Sequence, residues 1–167
     1  MAEKKETAEK AVADLAGKYL TFKLADEEYG LEILKVREII GMMAITGLPR
    51  TPSFVRGVIN LRGKVIPVID LRLKFDLEAT GDTDLTCIIV VDVTARDGRI
   101  QIGILVDSVS EVLDIRGEDI EGAPSFGTNI DTAFILGMAK AKGSVKILLN
   151  IEKVLSSAEL ESVANVA

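Results

Sequence analysis

The residue types that most often carry out chemistry are scarce in this sequence. It contains no histidine and a single cysteine, Cys87, which removes the commonest general base and metal ligand and every Ser–His or Cys–His nucleophile pair. No two glycines stand two residues apart, and Gly63-Lys64 lacks the earlier glycine of a Walker A loop, so neither phosphate-binding pattern is present. Asp82 and Asp84 lack the glycine and distal glutamate of a calcium loop. We therefore expect no catalytic residues, no metal and no cofactor, although catalysis by carboxylates alone stays open.

Two further features could bind a ligand, and each has a simpler structural interpretation. Five acidic side chains between residues 111 and 121 could hold a cation weakly, but such side chains nearly always lie on a solvated surface. Cys87 begins the apolar run 87–91, which predicts a buried structural thiol. Aromatic residues make up 4% of the chain and tryptophan is absent, which argues against a platform for stacking bases or sugars.

Composition narrows the class of protein and its partners. The 167 residues predict one domain with room for two lobes, and 48% hydrophobic residues can form a core without disulfide or metal. A net charge of −6 argues against nucleic acid or an anionic membrane as partner. No apolar run approaches the roughly 20 residues that span a bilayer. With no signal-peptide pattern in residues 1–16 and one cysteine, we expect a cytoplasmic protein.

The segment from Arg56 to Arg72 is predicted to form a β-hairpin on which the other elements are organised. Gly63 lies in its short turn and can adopt the positive φ that tight hairpins need. Pro67 lacks a backbone donor, so its strand should lie at a sheet edge or contain a bulge. Arg62 is presented at the turn and Asn60 interrupts an otherwise apolar face, which a purely structural hairpin does not explain.

Apolar periodicity elsewhere predicts a chain of short strands. Residues 18–24 alternate as a half-buried strand with Leu20, Phe22 and Leu24 inside. Residues 34–40 fit either a strand throughout or a strand that begins with one helical turn. Asp97-Gly98 is a strong hairpin signal. The other predicted strands are residues 29–33, 42–48, 85–93, 99–106, 109–115, 134–139 and 145–151, the last two joined by a turn near Lys142-Gly143.

Helix signals are few and short. Asp70 can cap a helix that runs to Phe75, and Asn150 can cap a C-terminal helix. The pattern Ser156-x-x-Glu159 predicts that this last helix breaks and restarts. Residues 117–129 form a polar loop. Residues 1–17 are predicted to be a flexible N-terminal tail with no core to pack on, and residues 18–167 the domain. Many short strands with few helices indicate an all-β, barrel-like fold.

The ordered set of these segments resembles the CheW family of bacterial chemotaxis coupling proteins over residues 18–160. No single segment is diagnostic, but their order and spacing are specific. The segments that carry the resemblance are Gly57-Val58-Ile59-Asn60-Leu61-Arg62-Gly63 with Ile66-Pro67-Val68-Ile69-Asp70-Leu71, Asp26–Gly30 with Ile33–Ile39, Thr51–Phe54, Gly103–Asp107 with Val109–Leu113, and Leu148–Leu155.

This resemblance implies a fold, a function and partners. The fold would be two intertwined five-stranded SH3-like β-barrels with short helices and a C-terminal helix. The function would be that of a non-enzymatic adaptor that couples transmembrane chemoreceptors to the chemotaxis histidine kinase. Its partners would be the regulatory domain of that kinase and the cytoplasmic tip of the receptors, with recruitment to membrane-associated receptor arrays and a monomeric state outside them.

The resemblance also implies which residues contact these partners. Structural explanations compete with it: the apolar members could belong to the core, the glycines to turns or close backbone approaches, and Glu38 and Arg62 could simply pair with each other. For Glu38 and Arg62 we favour recognition, because arginine is enriched at interface hot spots. A different class, a small-ligand-binding β-barrel or a carboxylate-only enzyme, stays open. The implied partner-binding residues are Val36, Glu38, Ile39, Gly57, Asn60, Arg62, Gly63, Gly103 and Val112.

Overall fold

The computed structural model describes residues 15–78, 81–95, 98–122 and 134–164, and within them strands dominate. In chain order the strands are β1 (Gly17–Leu24), β2 (Glu27–Glu32), β3 (Val36–Gly41), β4 (Val55–Leu61), β5 (Lys64–Asp70), β6 (Cys87–Ala95), β7 (Gly98–Val106), β8 (Ser108–Ile115), β9 (Ile120–Glu121), β10 (Ile135–Ala141) and β11 (Ser144–Leu149). The helices are α1 (Leu71–Lys74), α2 (Ile151–Val154) and α3 (Ser157–Ala164), with 3₁₀ turns at Ile33–Lys35 and Gly117–Asp119. The all-β class is confirmed; closure into two five-stranded barrels stays a prediction.

These strands form two sheets that exchange their first hairpins. The six-stranded sheet has the order β8-β1-β2-β11-β10-β9 and the five-stranded sheet the order β3-β6-β7-β5-β4. The hairpin β1–β2 therefore lies in the six-stranded sheet, although the following strands β3 to β5 lie in the other. The hairpin β6–β7 lies in the five-stranded sheet, and the strands after it return to the first. The two halves of the chain, β1 to α1 and β6 to α3, are thus intertwined.

The length of two links explains the exchange. Residues 33–35 join β2 to β3, and Asp107 alone joins β7 to β8. After the first link, β3 lies at a sheet edge, antiparallel to β6 and therefore parallel to β7. After the second link, β8 lies at a sheet edge, antiparallel to β1 and therefore parallel to β2. To take the equivalent position beside the hairpin that it has just left, the chain would have to pass over one strand and then run parallel to the last one. Such a parallel crossover needs about a dozen residues or more. Links this short can only lead into the opposite sheet.

The two halves also repeat each other in sequence and geometry. Gly137, Lys142 and Gly143 follow Gly57, Arg62 and Gly63 at a constant spacing of 80 residues. In both hairpins the two turn residues have positive φ, 53° and 85° for Arg62 and Gly63 and 51° and 80° for Lys142 and Gly143. Two residues in this conformation make the type I′ turn whose twist suits a hairpin. Sequence analysis did not identify this repeat.

A core of buried side chains from both sheets holds the halves together. Leu20, Phe22 and Leu31 of the six-stranded sheet pack with buried residues such as Ile69 and Ile104 of the five-stranded sheet. Each sheet also encloses a smaller apolar cluster of its own. A run of aromatic rings extends across this core, with centroid separations of 4.9–5.9 Å, through Phe22, Tyr29, Phe75 and Phe134.

The predicted helix caps are confirmed. Asp70 accepts hydrogen bonds from the backbone N–H of Arg72 at 3.0 Å and Leu73 at 3.4 Å, and Asn150 accepts one from Glu152 at 3.1 Å. The C-terminal helix does break and restart. The Ser156 N–H donates to the Glu159 carboxylate at 2.8 Å, and the Glu159 N–H donates to the Ser156 hydroxyl at 3.1 Å, which is a capping box.

Two strand predictions were wrong. Residues 42–48 form no strand; within this segment only Thr46 pairs, as an isolated bridge to Val58 at the edge of β4. Strand β1 is buried on both faces along most of its length, with Tyr19 2% and Thr21 1% exposed. The Thr21 hydroxyl is satisfied by donating to the Glu111 carbonyl at 2.8 Å. Period-two alternation misjudged the outer face because Tyr19 on that face packs in an apolar cluster with Ile115, Ala139 and Leu148 of the same sheet.

Three smaller predictions also need correction. The edge position expected for Pro67 is wrong, since β5 runs between β7 and β4. The alternative, a bulge, has a counterpart close to Pro67, where the β4–β5 ladder shifts register between Val55 and Gly57; the ladder to β7 begins only at Val68, so the missing donor is tolerated. Leu15 is not part of a free tail, because it packs against an apolar cluster and its carbonyl accepts from the Tyr19 hydroxyl at 2.6 Å. Leu85 is 68% exposed and precedes β6. The predictions for residues 1–14, Asp97 and 123–129 lie outside the described residues.

One ion pair between the two sheets has a defined pH dependence. Asp107, in the link between β7 and β8, accepts from the Arg72 guanidinium at 2.6 Å and from the Ala25 N–H at 2.8 Å. Partial burial alone would raise the pKa of Asp107, but these hydrogen bonds outweigh it and hold the pKa below its usual 3.8. The stabilisation is therefore complete above about pH 3.8 and is lost as the pH falls below it.

We predict that Asp107→Asn lowers the free energy of unfolding at neutral pH and that the difference from the parent shrinks below pH 3.8. Urea unfolding at neutral pH and at about pH 3 measures both differences. Asp114→Asn, which changes an exposed carboxylate on β8, is the control. A difference for Asp107→Asn that persists unchanged in acid would contradict this explanation.

Candidate protein-interaction surfaces

The first candidate surface centres on an ion pair between a hairpin turn and an edge strand. Arg62 lies in the β4–β5 turn and its side chain is 73% exposed, while Glu38 on β3 is 29% exposed. Both terminal nitrogens of Arg62 bind the Glu38 carboxylate, Nη1 to Oε2 at 3.3 Å and Nη2 to Oε1. The pair is bidentate, a geometry that fixes the direction of the guanidinium. Although β3 and β4 are opposite edges of their sheet, this ion pair connects β3 with the turn that follows β4.

Asn60 stiffens the turn that presents Arg62. Its side-chain oxygen accepts from the Gly63 N–H at 2.9 Å, which satisfies a donor that the tight turn leaves free. The polar interruption of an apolar strand thus has a local structural role. Arg62 itself has a φ of 53°, a conformation uncommon for a residue with a side chain. The turn therefore holds Arg62 in a defined position at some conformational cost.

Exposed apolar side chains accompany this ion pair. Ile39 on β3 is 44% exposed and Val65, opposite Asn60 across the hairpin, is 46% exposed. Large β-branched side chains this exposed gain free energy when a partner covers them, at about 25 cal/mol per Å² of apolar area. Ile39 follows Glu38 along the edge strand β3, and Val65 is the second residue after the turn that carries Arg62, so a partner that covers this edge and this turn would bury apolar area as well as charge. We call the following set the first surface: Glu38, Ile39, Asn60, Arg62, Gly63 and Val65.

The internal repeat places a similar arrangement on the six-stranded sheet. The Lys142 ammonium, in the β10–β11 turn, binds the Glu111 carboxylate of the edge strand β8. Val112 is 49% exposed and Val145 is 45% exposed. We call Glu111, Val112, Lys142 and Val145 the second surface. Of this set, only Val112 was among the predicted partner-binding residues; Lys142 was predicted only as part of a turn. The spacing of 80 residues between the two turns was the signal that could have found Lys142 and Val145.

Three residues implied by the family resemblance do not lie on either surface. Gly57 and Gly103 are buried within the five-stranded sheet, and Val36 is partly buried against the main core. A Cβ atom on Gly57 would lie 2.1 Å from the Thr46 carbonyl oxygen, in a backbone with φ of 143°. A Cβ atom on Gly103 would lie 2.8 Å from Cγ2 of Ile88. Both glycines therefore permit close packing within the chain, and their contact with a partner stays a prediction.

The hollows on the described surface offer little chemistry. One of about 290 Å³ is lined by the acidic turn Asp26–Glu28 and by Ser144, and one of about 170 Å³ lies between Pro49–Pro52 and α3. Among the residues that the structure describes, no group of three or more Cys, Asp or Glu side chains could hold a metal ion. No helix in the described ranges is long and apolar enough to cross a membrane.

Comparison with known proteins connects this geometry to a family. The chain matches the model of the CheW-like domain over residues 18–159. It is 41% identical over 162 residues to the chemotaxis protein CheW of Klebsiella aerogenes, covering 96% of this chain and 95% of that protein. It is 35% identical over 159 residues to the chemotaxis protein CheW of Treponema pallidum, covering 93% and 91%. The solved structure of the scaffolding protein TtCheW from Thermoanaerobacter tengcongensis superposes with a TM-score of 0.76 at 38% identity, over 87% of this chain and 97% of that one.

The chain thus forms two intertwined sheets that present exposed charged turns at equivalent positions. The relatives that it matches are named as chemotaxis and scaffolding proteins. The chain belongs to the CheW family. The family predicted from the order of the sequence segments is thereby confirmed.

The position of Gly57 generates a prediction about how the first surface is built. Gly57→Ala forces a Cβ atom against the Thr46 carbonyl and should lower the free energy of unfolding by more than about 2 kcal/mol. Gly41→Ala is the matched control, because Gly41 ends β3 with nothing within 4 Å of its Cβ position, and it should change stability by only about 0.5 kcal/mol. Urea unfolding compares the two, and equal stabilities would contradict the close-approach explanation.

Proposed function

We propose that this chain is a non-enzymatic adaptor that couples transmembrane chemoreceptors to the chemotaxis histidine kinase in the cytoplasm. One of its surfaces binds the cytoplasmic tip of the receptor, and the other binds the regulatory domain of the kinase. The observation that carries this proposal is the pair of exposed surfaces at equivalent positions on two sheets. The CheW family relationship supports these classes of partner. Outside the receptor array the chain is a monomer.

The mechanism is bivalent linkage. A chain that holds both partners turns their encounter into an intramolecular event and raises the effective concentration of each near the other. Because the sheets are intertwined, the two surfaces keep a fixed relative orientation. A change in the receptor that alters its contact with one surface is therefore transmitted to the partner on the other, which is a coupling free energy between two sites.

The ion pairs on both surfaces suit exchange with a partner. An exposed pair contributes only about 0–1 kcal/mol to stability, so Glu38 and Arg62 can separate at little cost. The planar fork of Arg62 can then bind a carboxylate on the partner, and Glu38 can accept a cation. Exposed Ile39 and Val65 supply the apolar area that such a contact buries.

We predict that Arg62→Glu keeps the fold, since exposed charge changes shift stability by about 0.5 kcal/mol, but weakens binding of one partner by roughly 2 kcal/mol or more. Titration calorimetry with the kinase regulatory domain and with the receptor tip measures the loss. Arg116→Glu is the matched control, because the Arg116 side chain is 74% exposed against 73% for Arg62 and belongs to neither surface.

The exchange Glu38→Arg with Arg62→Glu separates two roles. If binding returns to the parent level, the two side chains mainly position each other; if binding stays weak, at least one of them contacts a charge on the partner. An Arg62→Glu protein that binds both partners as tightly as the parent contradicts the assignment of the first surface. A thermal shift with a metabolite, together with no binding to either partner, would instead favour a ligand-binding protein.

A further inference from the structure

Two ion-pair clusters join the sheets, and their charges are arranged in opposite ways. We call these clusters clasps. In the first clasp the helix α1 supplies Arg72 and the link after β7 supplies Asp107. The carboxylate accepts from Arg72 Nε at 2.6 Å and from the Ala25 N–H in the β1–β2 turn at 2.8 Å. The Asp107 N–H also donates to the Lys23 carbonyl at 3.0 Å. One carboxylate thus connects a helix, a link and the hairpin of the opposite sheet.

The second clasp has the same parts with the charges interchanged. Here the helix α2 supplies the acid, Glu152, and the link after β2 supplies the base, Lys35. Lys35 Nζ lies 3.0 Å from Glu152 Oε1, and the Thr94 N–H on β6 donates to Glu152 Oε2 at 2.8 Å. The four charged side chains of the two clasps are 15–37% exposed, so solvent screens them only partly.

The internal repeat makes the two clasps equivalent. Arg72 and Glu152 differ by the spacing of 80 residues that relates the two hairpin turns. Ala25 and Thr94 also correspond. Ala25 lies five residues after Leu20, which pairs with Leu31, and Thr94 lies five residues after Ile89, which pairs with Ile104. Leu31 and Ile104 are equivalent because they pair in parallel ladders with Leu149 and Ile69, which are 80 residues apart. Equivalent backbone N–H groups therefore donate to a carboxylate in both clasps. The carboxylate comes from the link in the first clasp and from the helix in the second.

We propose that this inverted polarity makes each half of the chain pair with the other half and disfavours pairing with the same half of a second copy. The first half comprises β1 to α1 and the second half β6 to α3. Because every half places its hairpin in the sheet of another half, a half of a second copy has the strand topology to supply the missing hairpin, although the covalent connection raises the effective concentration of the other half of the same chain. The strand topology alone gives no preference between like and unlike halves.

The charges supply that preference. If two first halves paired, Arg72 of one copy would face Lys35 of the other, and the Ala25 N–H would have no carboxylate. If two second halves paired, Glu152 would face Asp107 with no cation between them. Like charges held in partly buried positions repel and lose their partners. Only the pairing of a first half with a second half places one acid and one base in each clasp. This holds whichever partners the two surfaces bind.

Charge exchanges within single clasps test the proposal on the full chain. Arg72→Glu with Asp107→Lys keeps an acid and a base in the first clasp but gives both clasps the same polarity. Lys35→Glu with Glu152→Lys does the same from the second clasp. In either double variant, pairing of like halves becomes attractive. The quadruple variant that combines all four changes restores opposite polarities, although it has lost every original side chain.

We expect the parent and the quadruple variant to give the same fraction of dimer after refolding from denaturant at high protein concentration. Each double variant should give a dimer fraction larger by about fivefold or more, the size expected for ion pairs of this exposure. Size-exclusion chromatography with light scattering measures the fractions. The quadruple variant controls for the lost Arg72 fork and for the N–H groups that lose an acceptor, because it shares these defects with the doubles.

Equal dimer fractions in the double and quadruple variants overturn the proposal. A measurement on the parent gives an independent test should a double variant fail to fold. Salt near 1 M shortens electrostatic screening to roughly 3 Å and should raise the dimer fraction of the refolded parent, since it weakens the repulsion between like halves. A parent whose dimer fraction does not rise with salt contradicts the proposal as well.

Discussion

Two links that are too short to cross a neighbouring strand determine this architecture. The residues between β2 and β3, and the single residue between β7 and β8, lead the chain from one sheet directly into the other. Each sheet is consequently completed by a hairpin from the opposite half of the chain. The main core then forms between the sheets from side chains of both. The halves cannot move apart without removing strands from each other's ladders, so the two candidate surfaces stay in a fixed relation.

The same topology explains how weak surface features can support a specific adaptor. Neither ion pair on the surfaces adds much stability, because exposed pairs rarely do. Their value lies in placement. A type I′ turn, stiffened by Asn60, presents Arg62, and the close approach of Gly57 to Thr46 holds the segment after β3 against β4. The charged side chains can separate at little cost in free energy, and the apolar side chains are already exposed. Both properties suit reversible binding. The intertwined core supplies the rigidity that the surfaces do not.

Local signals were sufficient for part of this structure. The charged hairpin turn, the caps at Asp70 and Asn150 and the capping box at Ser156 each depend on residues close in sequence, and each was predicted correctly. The order of short segments also identified the family. Predictions that depended on distant contacts were wrong or incomplete. The burial of Tyr19 and Thr21 on the outer face of β1 depends on residues of β8, β10 and β11 and cannot be inferred from period-two alternation. The interior position of Pro67 likewise depends on the order of distant strands in the sheet.

Half of the candidate site was missed for a related reason. The second surface becomes apparent only when the two turns are compared, and Lys142 and Val145 carry no local sign of function. The roles of Gly57 and Gly103 likewise depend on atoms far away in sequence, the Thr46 carbonyl and the Ile88 side chain. The most direct test of the adaptor account is the stoichiometry of a mixture of this chain, the kinase regulatory domain and the receptor tip, measured by sedimentation velocity. The account predicts a complex that contains all three at once, and displacement of one partner by the other would contradict it.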